Sequence, residues 1–452
     1  MIVLPASTAR RVTPACGGDR PESLRPSGEG SAMTAGITPW MLSAKSASAL
    51  GGTAAALQRM LDDEPDTDPT DIAYALGSRT PLRHRAVIVG AGRGELLAGL
   101  RAIASGTPSP RVITGRATRA GRTVFVFPGQ GSLRAGMANE LLDTAEAFAE
   151  QMRRCDDAFG EFLDWSLIKT LRGAPGSPGL DRDDVAQPVL FAVMVSLAAQ
   201  WRALGIEPDA VVGHSQGEVA AAYVAGALSL RDAARVLCAQ CQAITGIEGS
   251  GSTVFIPEPV DQVCELIGPW DGSIAIAERN SPSSTVVAGS AVAIADLVAR
   301  CERDHLPVKR IPLPYASHSV HMEELRERLR RQLADVRPRP ATITFISTVT
   351  GAAAGAAVLD GDYWFANLRQ PVLFEDAVRW AYGRGHRTFI ECSPERALSA
   401  DIEESLDDCG DDATVVGTLR RDDSSMRRFL MSLAEAHVRG TSPNWTRVLG
   451  AW

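Results

Sequence analysis

Ala210-Val211-Val212-Gly213-His214-Ser215-Gln216-Gly217 is the stretch on which the fold turns. Its first three residues read as a buried strand, the next five fit G-x-S-x-G, and the Ala-rich run to about residue 225 reads as a helix. A strand that bends sharply into a helix crowds the main chain around the middle residue, so positions without a Cβ are required at Gly213 and Gly217. Ser215 then stands exposed on the bend as a candidate nucleophile.

A serine hydroxyl needs a base within hydrogen-bond reach, and the chain offers seven histidines. His214 adjoins the serine, but neighbours on such a bend project in different directions. His84, His305, His321, His386 and His437 lie in charged or loop-like stretches and are expected to be solvated. His318, in Pro314-Tyr315-Ala316-Ser317-His318-Ser319 after a predicted strand, follows the serine in chain order and is the best candidate base. No acidic residue accompanies it, so a backbone carbonyl is expected to orient its ring.

Outward from this centre, the β-forming run 123–127 ends in Pro128-Gly129-Gln130-Gly131, and helical segments lead to about residue 204. Residues 253–311 alternate strand and helix and read as an insertion with its own sheet. A strand at 342–347, helices around Trp364 and at 374–382, a strand at 388–391 and a last helix at 426–439 close the chain. Ahead of the core, strands at 41–43 and 85–89 and helical stretches at 47–61, 71–76 and 95–104 read as a small α/β unit. The basic stretch 116–122 connects it to the core. Residues 1–32 are rich in Pro, Gly, Ser and Arg and are expected to be a flexible leader.

With 452 residues, 45% apolar and 22% charged, the chain suits a catalytic unit with one or two accessory modules. A net charge of -8 argues against a general nucleic-acid binder or a membrane-surface protein. The apolar runs fall short of the roughly 18–20 residues a membrane span needs. Eight cysteines scattered from Cys16 to Cys409 read as reduced thiols, and a cytoplasmic location follows. No metal-ligand set is read: Cys238 and Cys241 form a C-x-x-C on a predicted helix without a second pair. Gly90-Ala91-Gly92-Arg93-Gly94 lacks the third glycine of a dinucleotide loop, since Glu95 stands in its place.

The motifs taken together identify a family. Residues 123–418 resemble the malonyl-CoA:acyl-carrier-protein transacylases, and most closely the acyltransferase domains of type I modular polyketide synthases. The resemblance rests on Phe127-Pro-Gly-Gln-Gly-Ser132, Gln187-Pro-Val-Leu-Phe191, Gly213–Gly217, Asn280-Ser-Pro282, Tyr315–His318, Ser347-Thr-Val-Thr-Gly351, Asn367-Leu-Arg369 and Ser393-Pro394. It implies an α/β-hydrolase-like core (121–252 and 312–418) with an inserted ferredoxin-like small subdomain (253–311). A small α/β linker domain (37–120) would precede this core, after the leader (1–36), and a wrapping linker (419–452) would follow it.

The resemblance further implies Ser215 as nucleophile and His318 as general base, with the backbone amides of Gln130 and Gln216 as the oxyanion hole. Such donors contribute about 3–4 kcal/mol each. Gln187, Asn280, Tyr315 and Ser317 match pocket positions. The implied partners are acyl-CoA and an acyl carrier protein, which brings its own phosphopantetheine; no cofactor is expected, and no nucleic acid or membrane.

One departure bears on specificity. Family members using malonyl or methylmalonyl groups carry an arginine on the helix after the elbow, and Gln240 occupies that position here. Removing one partner of a buried charged pair costs about 3–5 kcal/mol. The expectation is therefore an acyl group without a free carboxylate: acetyl, propionyl or a short branched starter unit. Gln216 and Tyr315-Ala316-Ser317-His318 resemble the methylmalonyl-type pattern, which leaves room for an α-branch. A methylmalonyl or malonyl extender transferase with a relocated carboxylate clamp, an acyl-thioester editing hydrolase and a non-catalytic docking module remain alternatives. Leu133 and Glu395 also depart from the usual glutamine and histidine.

Overall fold

Alternation of apolar residues builds the first layer. In this computed structural model, which describes residues 36–117, 121–131, 133–247, 249, 251–355, 358–410 and 412–450, β1 (Ile37–Ala44), β2 (His84–Ala91) and β3 (Val112–Arg116) form an antiparallel sheet in that order. Residues Trp40, Leu42, Ala86 and Ile88 pack with α1 (Ala47–Asp63), α2 (Pro69–Gly77) and α3 (Gly92–Ser105), while Met41, Val87 and Val89 join the main core. The period-two pleat thus gives this sheet two buried faces. Ser46 caps α1 by accepting from the Ala49 amide, and Asp68 caps α2.

The chain then enters β4 (Arg122–Phe127) and passes through α4 (Asn139–Thr144), α5 (Glu146–Phe159), α6 (Leu167–Arg172) and α7 (Asp183–Ala203) to β5 (Ala210–Gly213), α8 (Gly217–Val224) and α9 (Leu230–Thr245). An excursion follows: β6 (Gly251–Ile256), α10 (Val260–Ile267), β7 (Ile274–Ser281), β8 (Ser284–Ser290), α11 (Ala291–Arg303) and β9 (Lys309–Ile311). The return runs through α12 (Arg326–Gln332), β10 (Thr344–Ser347), β11 (Ala352–Ala353), α13 (Gly361–Arg369), β12 (Val372–Leu373), α14 (Phe374–Gly383), β13 (His386–Glu391), α15 (Ser399–Leu406) and β14 (Thr414–Gly417). Two helices, α16 (Met426–Arg439) and α17 (Trp445–Gly450), complete the described chain.

The central sheet has the order β11-β10-β5-β4-β13-β14, all parallel except β11. Parallel neighbours place the ends of β4 and β5 side by side, with Phe127 opposite Gly213. That carboxyl edge is where open α/β sheets bind ligands. The excursion forms a second sheet, β12-β7-β8-β6-β9, in which β8 runs antiparallel to both β6 and β7. Its β-α-β-β-α-β order places α10 and α11 against Val254, Ile274 and Val287.

The structure departs from the sequence reading in several places. Residues 112–116 form the third strand of the first sheet, so the basic connection begins later than expected; the leader 1–35 lies outside the described residues. β14 and α15 carry no clear periodic signal and were not expected, yet β14 pairs in parallel with β13. The apolar run in 189–199 belongs to a helix of 21 residues, long and apolar enough to cross a membrane by those criteria, but mostly buried inside the protein.

His386 and His437 are buried at 3% exposure rather than solvated. His386 Nδ1 bonds the Ala381 carbonyl at 2.9 Å, and His437 lies edge-on to Trp445. His437 sits where α16 crosses β2 and β3: Arg85 donates to the His437 carbonyl at 2.7 Å, and a Cβ on Gly115 would meet Val438 at 2.7 Å.

Candidate active site

Steric crowding shapes the bend after β5. A Cβ on Gly213 would lie 2.2 Å from the Glu218 amide nitrogen, and one on Gly217 would lie 2.1 Å from the Phe127 carbonyl oxygen. Gly129, after β4, is required for the same reason, since its Cβ would lie 2.5 Å from the His214 carbonyl oxygen. Ser215 itself takes a left-handed backbone, φ 52°, which costs about 1–3 kcal/mol in a residue with a side chain. Such strain persists only where surrounding contacts hold it.

Two donors supply that hold. The Thr348 hydroxyl donates to the Gly213 carbonyl at 3.0 Å, and the Asn367 amide donates to the Ser215 carbonyl at 3.0 Å. Both also bond the fully buried carboxyl of Glu218, which in addition accepts from the Thr348 amide and, at 2.7 Å, from the Tyr363 hydroxyl. Burial pushes the Glu218 carboxyl above its ordinary range, while these donors oppose the shift.

His318 arrives from the loop after β9, 103 residues further along the chain, and its Nε2 lies 2.9 Å from the Ser215 hydroxyl oxygen. It too has a left-handed backbone, φ 55°, fixed by its amide donating to the Leu368 carbonyl at 2.9 Å. Nδ1 lies 2.9 Å from the Gln370 carbonyl oxygen, which can only accept. Nδ1 therefore carries the proton and Nε2 is left free to take one from Ser215. A backbone carbonyl orients the ring, as expected from the missing acid. At 2% exposure, desolvation lowers the His318 pKa below 6.5, against an upward pull from Glu278, so the ring is neutral at neutral pH.

Ser215 and His318 open into a cavity of about 180 Å³ between the two sheets. Gln130, Gln216, Asn280, Tyr315 and Ser317 line it. Gln216 is the N-cap residue of α8 without a side-chain capping bond, and the first amides of that helix donate to the His214, Ser215 and Gln216 carbonyls. His214 lines the same cavity, and its Nε2 lies 2.8 Å from Asn280 Oδ1. Two expected pocket residues are not part of the lining. Gln187 donates to the Gly129 carbonyl at 2.9 Å and so supports the loop carrying Gln130. Gln240 is fully buried on α9; it donates to the Trp364 carbonyl at 3.1 Å, and its Oε1 has no hydrogen-bond partner.

The sequence reading missed Glu218, Thr348, Gln370, Glu278 and Asp401, and gave Asn367 no role. Glu218 immediately follows the bend motif, a position that carries the only local signal among them. The others reach the site from four separate elements and loops.

This geometry combines an oriented hydroxyl-imidazole pair with a closed bend, the equipment of acyl transfer through a serine ester. The family model for "Acyl transferase domain" matches residues 124–443, and "CurL-like, PKS C-terminal" matches residues 39–100. Mycoketide-CoA synthase of Mycobacterium tuberculosis (strain ATCC 25618 / H37Rv) is 50% identical over 416 residues, 91% of this chain and 10% of that protein. Spectinabilin polyketide synthase system protein NorA' of Streptomyces orinoci is 47% identical over 412 residues, 91% of this chain and 11% of that protein. The chain thus spans about a tenth of the length of these relatives.

Among solved structures, the acyltransferase domain from module 8 of the salinomycin polyketide synthase is 46% identical with a TM-score of 0.88, covering 91% of this chain and 98% of that one. A loading acyltransferase from the avermectin modular polyketide synthase is 44% identical with a TM-score of 0.67, covering 70% and 99%.

Proposed function

The chain belongs to the acyl transferase domain family of polyketide synthases, and we propose that it is a loading member of that family. It takes a non-carboxylated acyl starter unit (acetyl, propionyl or a short branched acyl) from a thioester such as acyl-CoA. It delivers the unit to the phosphopantetheine thiol of an acyl carrier protein. An α/β-hydrolase-like core with a ferredoxin-like insertion goes with this reading, as does a cytoplasmic location beside the CoA pool; the two strand orders support the fold assignment.

In the first half-reaction Ser215 Oγ attacks the thioester carbonyl while its proton passes to His318 Nε2. The carbonyl oxygen becomes an oxyanion facing the Gln130 and Gln216 amides. Collapse breaks the C–S bond, and the departing sulfur takes the proton from the imidazolium. The second half runs in reverse, with the carrier thiol giving its proton to His318 and attacking the acyl-Ser215 ester. Each half returns the imidazole to its neutral state.

Gln240 is the observation that carries the choice of acyl group. A neutral amide stands where an arginine would grip a carboxylate, and it is engaged with Trp364 outside the cavity lining. The likeness to the avermectin loading acyltransferase supports the same reading. The likeness to the acyltransferase domain from module 8 of the salinomycin polyketide synthase, not named as a loading domain, favours the second reading, a methylmalonyl or malonyl transferase. Incubation with a panel of acyl-CoAs and intact-protein mass measurement separates them. Propionyl on Ser215 in preference to methylmalonyl is expected; the opposite order overturns the loading reading.

A further inference from the structure

The cavity that holds Ser215 carries two carboxylates, Glu278 and Asp401, and no lysine or arginine among its described lining residues. Glu278 comes from β7 of the second sheet and Asp401 from helix α15, so two separate elements each contribute one acid to the lining. Glu278 Oε2 accepts from Asn280 Nδ2 at 2.9 Å and lies 3.6 Å from His214 Nε2, with only 15% of the side chain exposed. Its neighbour Arg279 does not neutralise the cavity, because its guanidinium pairs with Asp376 of α14 at 3.2 Å. Burial, with Glu278 adding to it, raises the Asp401 carboxyl, and the field of Glu278 is felt at His318.

A carboxylate carried in on an acyl ester of Ser215 would meet like charge in a partly dehydrated space with no lysine or arginine among the described lining residues to offset it. A neutral acyl group of the same shape would meet no such field. We propose that Glu278 and Asp401 are specificity-determining residues that reject acyl groups bearing a free carboxylate. This rests on the loading reading above and adds the residues that enforce it. It is separate from Gln240, which removes an attraction, whereas these two supply a repulsion.

Isobutyryl-CoA and methylmalonyl-CoA isolate the effect, because they share their branching and differ by a methyl in place of a carboxylate. Initial rates of Ser215 acylation by each, read by intact mass, give a methylmalonyl-to-isobutyryl ratio for the wild type, Glu278→Gln, Asp401→Asn and the double variant. The ratio is expected to rise about tenfold in the double variant and about threefold in each single one. A ratio within about twofold of wild type in the double variant, or in both single variants should the double fail to fold, overturns the proposal. A wild type that already prefers methylmalonyl overturns the loading reading itself. One that prefers isobutyryl, with a ratio the variants do not move, removes only the role given to Glu278 and Asp401.

Discussion

The side-chain amide of Asn367 donates to the main-chain carbonyl of Ser215 at 3.0 Å, and the residues that follow it accept from both the main chain and the ring of His318. The Leu368 carbonyl takes the His318 amide, and the Gln370 carbonyl takes the His318 ring. One helix end, α13, therefore fixes Ser215 and His318 together, although 103 residues separate them in the chain. Both are left-handed residues with side chains, the conformation that most needs outside support.

Asn367→Ala removes that support without touching the reacting atoms. The expected result is a loss of about tenfold or more in the maximal acylation rate with KM for the acyl thioester little changed, since the defect lies in alignment. Steady-state kinetics checks the split; a change confined to KM contradicts it.

Ser215→Ala should leave no acylated protein detectable by mass. His318→Ala should retain binding while slowing acylation by about 100-fold or more, the usual weight of a positioned base. The pH profile gives the sign. The neutral imidazole is the active form and burial lowers its pKa, so the rate should fall as pH drops through a midpoint below 6.5 and stay flat above it. A midpoint above 6.5 would show that Glu278 outweighs desolvation.

Glu218→Ala leaves the donors of Thr348, Tyr363 and Asn367 without their shared acceptor in a dry interior. The expected cost is about 3 kcal/mol or more, read as a lower urea midpoint, with Glu218→Gln intermediate. Equal stability of wild type and the alanine variant would count against the network.

His437 predicts a stability profile. Burial lowers its pKa to about 3 from the ordinary 6.5, so between these values the unfolded chain binds a proton that the folded chain refuses. The contribution is complete above pH 6.5 and is lost as pH falls toward 3, by up to about 1.4 kcal/mol per pH unit. Denaturation of wild type and His437→Gln across this range should show a shallower slope for the variant.

Much of the site was legible because its constraints are local. The close approach of Gly213, Gly217 and Gly129 to main-chain atoms is set by a bend only a few residues long, and a strand-glycine-serine-glycine-helix order announces it. His318 could be singled out because few histidines compete. The lack of an adjacent acid pointed to a carbonyl as the ring's partner.

The sequence by itself determined the bend, the residues proposed as its nucleophile and base, and the layer that carries them. Only the tertiary structure decided which carbonyl holds the imidazole, that Gln240 is not part of the cavity lining, that His386 and His437 are buried, and that Glu278 and Asp401 line the cavity holding Ser215. The reason is physical: backbone crowding acts within a few bonds, whereas burial and charge depend on which segments the two sheets bring together.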